Sequence, residues 1–218
     1  MSTAVLILGE SGSGKSTSLR FLEPEKVMLI QAVRKPLPFR SADWQIASKE
    51  NPEGSVIVTD NSQKICAIMQ RTKRDIIVID DFQYVMANEF MRRVTDQAKG
   101  NEAFQKYNEI GRAAWDIFNT AGHLPENKRV YILSHSSTDE LGNTKLKTIG
   151  RLLDEKIVLE GMLTIVLRAI RKDGENYFKT QNSGNDTVKS PIGMFAEDQI
   201  PNDLAAVDAG ICEYYGIK

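Results

Sequence analysis

The chain has 218 residues, of which 41% are hydrophobic and 26% charged, and its formal net charge is −1. This length and composition are typical of a globular domain with a single core, so we expect residues 1–218 to form one domain. The near-neutral charge excludes a generally basic surface, and a nucleic-acid site would need a local basic patch. No apolar run approaches the roughly 18 residues of a membrane span, so we expect no membrane contact.

The two cysteines and the N-terminal residues indicate the cellular compartment in which the protein is expected. Cys66 and Cys212 lie far apart and form no metal-binding spacing, which is typical of a reducing environment. The apolar run at residues 4–8 is too short for a signal peptide and has no basic flank. We therefore expect a cytoplasmic protein.

Hydrophobic runs alternate with amphipathic segments over the first two thirds of the chain. The predicted strands are residues 4–8, 27–31, 55–59, 76–80 and 130–134. The predicted helices are residues 15–22, 61–71, 82–95 and 102–120. Strands that alternate with helices form parallel sheets with right-handed crossovers. The predicted fold class is therefore α/β, with a mostly parallel sheet flanked by helices.

The stretch GESGSGKST at residues 9–17 joins the first strand to the first helix and fits the P-loop pattern G-x-x-x-x-G-K-[ST]. Its glycines let backbone N–H groups approach a phosphate chain, and the N-terminus of the helix favours anions. We expect Lys15 to contact the β- and γ-phosphates and Ser16 to ligate Mg²⁺. The predicted ATP-binding residues are Gly9, Glu10, Ser11, Gly12, Ser13, Gly14, Lys15, Ser16 and Thr17.

The run IIVIDD at residues 76–81 is a buried strand that ends in two acids. A continuous apolar run is typical of a central parallel strand. Beside a P-loop, Asp80 is predicted to hold Mg²⁺ together with Ser16. For Asp81 two interpretations stay open: a catalytic residue that faces the γ-phosphate or its attacking water, or a cap of the following helix.

The fifth strand ends at His135 and leads into a basic segment. Open α/β sheets bind ligands at the carboxyl ends of their strands, so His135 is either a contact of the γ-phosphate with a catalytic role or a hydrogen-bonded cap of the strand end. Residues 141–151 contain Lys145, Lys147 and Arg151 but no acid. They form either a flexible loop that binds a nucleic-acid backbone or a solvated charged loop.

The last third of the chain changes character. Residues 163–169 and 177–180 are strand-like, and Asp173-Gly174 between them is a strong hairpin-turn signal. We expect an antiparallel hairpin to extend the parallel sheet. A final helix is expected after Pro201, with Asn202 or Asp203 as its N-cap.

Longer strings resemble a known group of proteins. They are IDDFQYVMANEF at residues 79–90, KTIGRLLDEKI at 147–157, KSPIGMF at 189–195 and IPNDL at 200–204. With the P-loop, they resemble small phage-encoded RecA-like P-loop ATPases, AAA-type nucleotide-binding proteins related to the single-strand annealing ATPases of phage recombination. The resemblance covers nearly the whole chain.

The resemblance implies a P-loop NTPase with a RecA-like core that uses ATP and Mg²⁺. It implies that the strand ending at His135 lies between the P-loop strand and the Asp80 strand, and that residues 136–147 match a mobile DNA-contacting loop. It also implies a homo-oligomer in which Lys179, Arg168 or Arg171 reaches a neighbour's nucleotide. Implied partners are single-stranded DNA and a single-strand-binding protein, in the cytoplasm of a bacterial host.

Two departures from the family pattern affect the expected chemistry. RecA-like enzymes carry a catalytic glutamate after the second strand, whereas this strand ends in Gln31, so the base is Asp81 or Asp60, or hydrolysis is slow. The P-loop strand begins at Ala4, without a preceding segment to pack on a neighbour, and we therefore do not expect recombinase-like filaments.

Three functions fit these patterns. The first is a DNA-dependent ATPase of phage recombination or replication. The second is a nucleotide-dependent assembly module without turnover, which the missing glutamate favours. The third is a small-molecule kinase, for which the C-terminal hairpin and IIVIDD are less typical.

Overall fold

The computed structural model describes residues 1–94, 101–150 and 152–217. Its strands are β1 (Thr3–Gly9), β2 (Val27–Gln31), β3 (Val56–Val58), β4 (Ile76–Asp80), β5 (Arg129–Thr138), β6 (Thr144–Leu146), β7 (Ile165–Lys172), β8 (Glu175–Lys179) and β9 (Gln199–Pro201). Its α-helices are α1 (Ser62–Arg71), α2 (Gln83–Arg92), α3 (Asn101–Gly122) and α4 (Leu204–Tyr215). Short 3₁₀-helices lie at Ser16–Phe21, Pro24–Lys26 and Leu159–Met162, and a π-helical turn lies at Leu152–Lys156.

The described strands form a mixed sheet in the order β3-β2-β4-β5-β1-β7-β8-β9, with β6 paired to the end of β5. In this spatial order, the six strands β3, β2, β4, β5, β1 and β7 are parallel to one another. Strands β8 and β9 extend the sheet in antiparallel fashion. Strand β5 lies between β1 and β4, in the predicted position. The carboxyl ends of the P-loop strand and the Asp80 strand therefore meet at one edge.

Apolar side chains fill both faces of the sheet, as expected for central parallel strands. One core joins the sheet to α1, α2 and α3, and includes Ile65, Phe82 and Phe118. The other joins it to α4 and the first 3₁₀-helix, and includes Leu19 and Ile211. The structure thus confirms the predicted α/β class with helices on both faces.

Two predicted elements differ in form. The helix expected at residues 15–22 is a 3₁₀-helix of six residues, because extended backbone at Leu22 and the proline at position 24 leave it no room to lengthen. The strand expected at residues 130–134 continues to Thr138 and pairs with β6. Residues 136–138 and 144–146, expected in a flexible loop, are therefore strands of a hairpin.

The C-terminal predictions are confirmed with one omission. Asp173 (φ 52°) and Gly174 (φ 85°) form the tight turn between β7 and β8. The side chain of Asp203 caps α4 by accepting hydrogen bonds from the N–H groups of Ala205 and Ala206. The sequence pattern gave no signal for the three-residue strand β9.

Within the described ranges, no helix is both long enough and apolar enough to cross a membrane.

Candidate nucleotide-binding site

The P-loop occupies the turn after β1, at the carboxyl edge of the sheet. Gly12 and Gly14 have φ values of 78° and 95°, which favour glycine. A Cβ atom at Gly9 would lie 2.4 Å from Ser13 Oγ, and one at Gly14 would lie 2.8 Å from Asn176 Cγ. Backbone conformation and close packing therefore both require glycine in this loop.

The predicted ATP-binding residues divide into an exposed tip and a buried base. Glu10, Ser11 and Gly12 are exposed, Ser13, Gly14 and Lys15 are buried, and Ser16 and Thr17 are half-buried. Lys15 Nζ donates hydrogen bonds to the carbonyl oxygens of Gly9 and Glu10, each at 2.8 Å. Burial lowers the pKa of the Lys15 ammonium to about 8, against the opposing charges of Asp81 and Asp80. The lysine therefore lies folded inside the loop that is predicted to hold phosphate.

Asp80 connects the P-loop to the end of β4. The Ser16 hydroxyl donates to Asp80 Oδ1 at 2.8 Å. Asp80 is fully buried, and its Oδ2 atom has no hydrogen-bond partner among the described residues. Burial, together with the neighbouring charge of Asp81, raises the pKa of Asp80 to about 6. An unpaired carboxylate oxygen beside a serine hydroxyl is a suitable ligand set for Mg²⁺.

The part of the chain that the structure describes contains no cluster of three or more His, Cys, Asp or Glu side chains suited to a metal. An ion at Ser16 and Asp80 would thus need other ligands. This fits Mg²⁺, which protein carboxylates commonly hold together with waters and substrate phosphates.

Asp81 faces the P-loop from the residue after β4. Its backbone has a φ of 62°, and its side chain is 6% exposed. One carboxylate oxygen contacts Lys35 Nζ, and the other lies 3.9 Å from His135 Nε2. The N-cap of the following helix α2 is Phe82, whose side chain makes no cap hydrogen bond. Asp81 therefore lies beside Lys35 and His135, and its catalytic role stays a prediction.

His135 lies in β5 opposite Gly9 of β1. Burial, together with the charge of Lys15, lowers its pKa, which favours the neutral imidazole. Its ring stacks edge-on against Tyr84 with centroids 6.1 Å apart. Its carbonyl oxygen accepts the N–H of Lys147 at 2.9 Å, so the histidine is joined to the β5–β6 hairpin.

The position of the expected glutamate is held by an amide. Gln31 ends β2 beside Asp80 of β4. It is buried, and its Nε2 donates to the carbonyl oxygen of Lys35 at 3.2 Å. The alternative base Asp60 accepts hydrogen bonds from Asn88 at 2.7 Å and Arg92 at 2.8 Å. These bonds lower its pKa despite partial burial, which makes it a poor base.

The β5–β6 hairpin extends beyond the carboxyl edge of the sheet. Thr144 and Leu146 are buried, whereas Lys145 and Lys147 are exposed, as expected when side chains alternate along a strand. Lys145 in β6 and Lys147 directly after it therefore lie on the same face of the hairpin. Arg151, the third residue predicted to bind DNA, lies outside the described residues.

The three cations predicted to act on a neighbour's nucleotide lie in the β7–β8 hairpin. Lys179 Nζ contacts Asp186 Oδ2 at 2.6 Å, and Arg168 lies 3.9 Å from the same oxygen. Arg168 and Arg171 also line a cavity of about 290 Å³ with residues 10–13 of their own P-loop. Their action on a neighbour stays a prediction.

Sequence reasoning missed two residues of this site. They are Lys35, whose ammonium contacts Asp81, and Asn176, whose side chain packs against Gly14. Both come from segments distant in sequence from the P-loop. Their partners become visible only once the sheet is assembled, so no local pattern could have identified them.

A P-loop after β1, an acidic residue at the end of β4 and a strand between the two define the RecA-like P-loop NTPase fold. The structure thereby confirms the fold expected from the sequence.

Comparison with known proteins gives distant similarities. No family model and no curated protein matches the chain. A structure described as a DnaB-like replicative helicase and its interactions with primase is 16% identical, with a TM-score of 0.47, and the match covers 81% of this chain and 51% of that one. The genome packaging NTPase B204 from Sulfolobus turreted icosahedral virus 2, in complex with ATP-gammaS, is 12% identical, with a TM-score of 0.38 and coverage of 79% and 76%. The chain spans about half the length of the helicase structure that it matches.

Proposed function

We propose that the protein is an ATPase that binds Mg-ATP and acts on single-stranded DNA in phage recombination or replication. The observation that carries the nucleotide part is the 2.8 Å hydrogen bond between Ser16 and Asp80. This bond brings the P-loop serine and a buried carboxylate into one site, where Lys15 supplies a cation.

The residues divide the work of the site among them. Ser16 and Asp80 would hold Mg²⁺, which neutralises charge that develops on the phosphates during transfer. The Lys15 ammonium would leave the two carbonyl oxygens of its own loop for the β- and γ-phosphates. Asp81 and His135, 3.9 Å apart, would orient the attacking water and contact the γ-phosphate.

Turnover of ATP tests this proposal. We expect hydrolysis that requires Mg²⁺ and rises when single-stranded DNA is added. Lys15→Ala should abolish it, because a charge-assisted contact worth about 1.5–3 kcal/mol is lost. Nucleotide affinity and turnover that are unchanged in this variant would remove the site assignment.

The DNA part of the proposal is supported by the position of the β5–β6 hairpin. Lys145 and Lys147 lie on its exposed face, and the backbone of Lys147 is bonded to His135. A change at the γ-phosphate is thereby transmitted to the DNA-binding lysines through one hydrogen bond. Arg151 and a single-strand-binding protein complete the proposed interactions with DNA.

We expect the protein to form a homo-oligomer, since Lys179, Arg168 and Arg171 are candidates to complete a neighbour's site. Saturating ATP with DNA should raise the mass measured by light scattering at micromolar protein. A species that stays monomeric under these conditions would contradict the trans-acting assignment and leave the nucleotide site intact.

A second candidate function is a nucleotide-dependent assembly module that does not hydrolyse ATP. The observation in its favour is Gln31, an amide beside Asp80 where related enzymes carry a glutamate. Tight binding of ATP without turnover, with or without DNA, would favour this second function over the first.

A further inference from the structure

Lys35 brings a second cation to the P-loop from the segment after β2. Its ammonium contacts the carboxylate of Asp81, and its side chain is 39% exposed, against 6% for Asp81. The pair therefore lies at the mouth of the site, with the lysine on the solvent side. The charge of Lys35 also acts on Lys15, Asp80 and His135, so it belongs to the same electrostatic cluster.

Gln31 fixes the backbone from which Lys35 projects. Its side-chain amide donates to the Lys35 carbonyl oxygen at 3.2 Å, and it is buried at the end of β2. The parallel pairing of β2 with β4 places Gln31 opposite Asp80. Gln31 stands where a glutamate was expected. It therefore positions Lys35 and supplies no carboxylate.

The partner of Lys35 is a residue whose charge a phosphate can replace. Asp81 is almost wholly buried and held with a φ of 62° by the turn into α2, so it has little freedom to follow a ligand. Lys35 has a long, partly exposed side chain and can move. A terminal phosphate carries more negative charge than a carboxylate, and lysine binds phosphate as a compact point charge.

We propose that Lys35 is a second phosphate-binding lysine, supplied by the same chain, which leaves Asp81 for the terminal phosphate of a nucleoside triphosphate. This inference rests on the proposed nucleotide site and specifies how that site distinguishes a triphosphate from a diphosphate. Once Lys35 has moved, Asp81 is free to interact with His135, whose carbonyl oxygen holds the β5–β6 hairpin.

Equilibrium binding of ATPγS and of ADP, each with Mg²⁺, tests the proposal without requiring turnover. Lys35→Met keeps the length of the side chain and removes its charge. We expect its affinity for ATPγS to fall about tenfold or more, the size of one charge-assisted contact, while its affinity for ADP changes by less than about twofold. Lys35→Arg should keep most of the preference for the triphosphate.

Two further variants serve as controls. One removes a neighbouring positive charge, and the other should change the affinity for ATPγS in the opposite direction. Arg34→Met removes an exposed cation one residue away and should leave both affinities unchanged. Asp81→Asn removes the competing carboxylate and should raise the affinity for ATPγS, opposite in sign to Lys35→Met. Thermal unfolding without nucleotide verifies that each variant is folded.

The outcomes separate this inference from the proposed function. Suppose that the wild-type protein binds both nucleotides and that Lys35→Met weakens the binding of both equally or of neither. That result would overturn the role of Lys35 and leave the proposed nucleotide site intact. Wild-type protein that binds neither nucleotide would overturn both.

Discussion

Buried charges lie at both ends of the parallel strands, and the two groups differ in how their polar atoms are paired. At the start of β5, Arg129 donates from Nε and Nη2 to the two carboxylate oxygens of Asp208, each at 2.9 Å. The Tyr131 hydroxyl donates to the same carboxylate at 2.5 Å. At the other end, Asp80 Oδ2 and the hydroxyl of Ser134 have no hydrogen-bond partner within the described residues.

The pairing of the polar atoms distinguishes a structural ion pair from a candidate functional site. Asp208 lies in α4, so the paired group holds that helix against the sheet. Among the described residues, Asp80 has no hydrogen bond or ion pair with a cation, and burying its charge raises the free energy of the folded state. A buried polar group without a partner is costly to keep, so its presence at the carboxyl edge of a parallel sheet indicates a ligand site.

The largest expected effect is at the paired end. Asp208→Ala leaves Arg129 as a buried, unpaired cation, and we expect it to lower the free energy of unfolding by about 3–5 kcal/mol. Urea unfolding followed by circular dichroism measures this loss. Nucleotide affinity of the folded protein should be retained, since Asp208 lies at the opposite end of the sheet from the P-loop.

Asp116→Ala is the matched control for this prediction. It breaks the ion pair between Arg112 and Asp116, in which the arginine side chain is 72% exposed and the aspartate side chain 42%. Exposed ion pairs contribute little to the free energy of unfolding. If the two variants lose similar stability, the ion pair between Arg129 and Asp208 does not hold α4 against the sheet.

The next effect has the opposite sign. Asp80→Asn should stabilise the protein without nucleotide, because burial raises the pKa of Asp80 from its ordinary value of 3.8 to about 6. A group with a raised folded-state pKa contributes stability below its unfolded pKa and loses it as the pH rises through the folded pKa. At pH 8 we expect the variant to be about 2–3 kcal/mol more stable than the wild type, and at pH 4 nearly equal to it.

Denaturant unfolding at pH 4 and pH 8, without Mg²⁺, measures this difference. Asp173→Asn serves as the control, because it makes the same chemical change in an exposed turn whose positive φ asparagine tolerates. A variant Asp80→Asn that is less stable than the wild type at pH 8 would show that the Asp80 charge is already compensated in the fold.

The parts of the site that are local in sequence were predictable. The P-loop and Asp80 each follow a buried strand, and their spacing reflects what a phosphate chain and a metal require. The strand order that unites them followed from the family resemblance and not from the residues alone. The position of His135 beside Gly9 therefore came with the resemblance.

The parts that depend on assembly were not predictable. Lys35 meets Asp81, and Asn176 meets Gly14, only because β2 and β8 take particular places in the sheet. The β5–β6 hairpin was predicted as a loop, because three residues of alternating burial in β6 are too short a pattern to distinguish from irregular structure. Asp139 stabilises its turn by accepting the N–H groups of Leu141 and Asn143.

The smallest expected effect compares lysines at the two ends of the sheet. Lys145 and Lys147 lie on the hairpin at the carboxyl end of the parallel strands. Lys26 and Lys73 are exposed just before β2 and β4, at the opposite end. Replacing both hairpin lysines by alanine should weaken single-stranded DNA binding and flatten the log–log salt dependence by roughly 0.7 per lost phosphate contact.

Replacing Lys26 and Lys73 removes the same charge from the protein and should leave that slope unchanged. Fluorescence anisotropy with a labelled oligonucleotide across a salt series, in ATPγS and in ADP, measures both variants. Because the net charge is −1, no general basic surface masks the difference. Equal slopes for the two double variants would mean that DNA contact is not confined to the end of the sheet that carries the P-loop. The hairpin would then lose its proposed role.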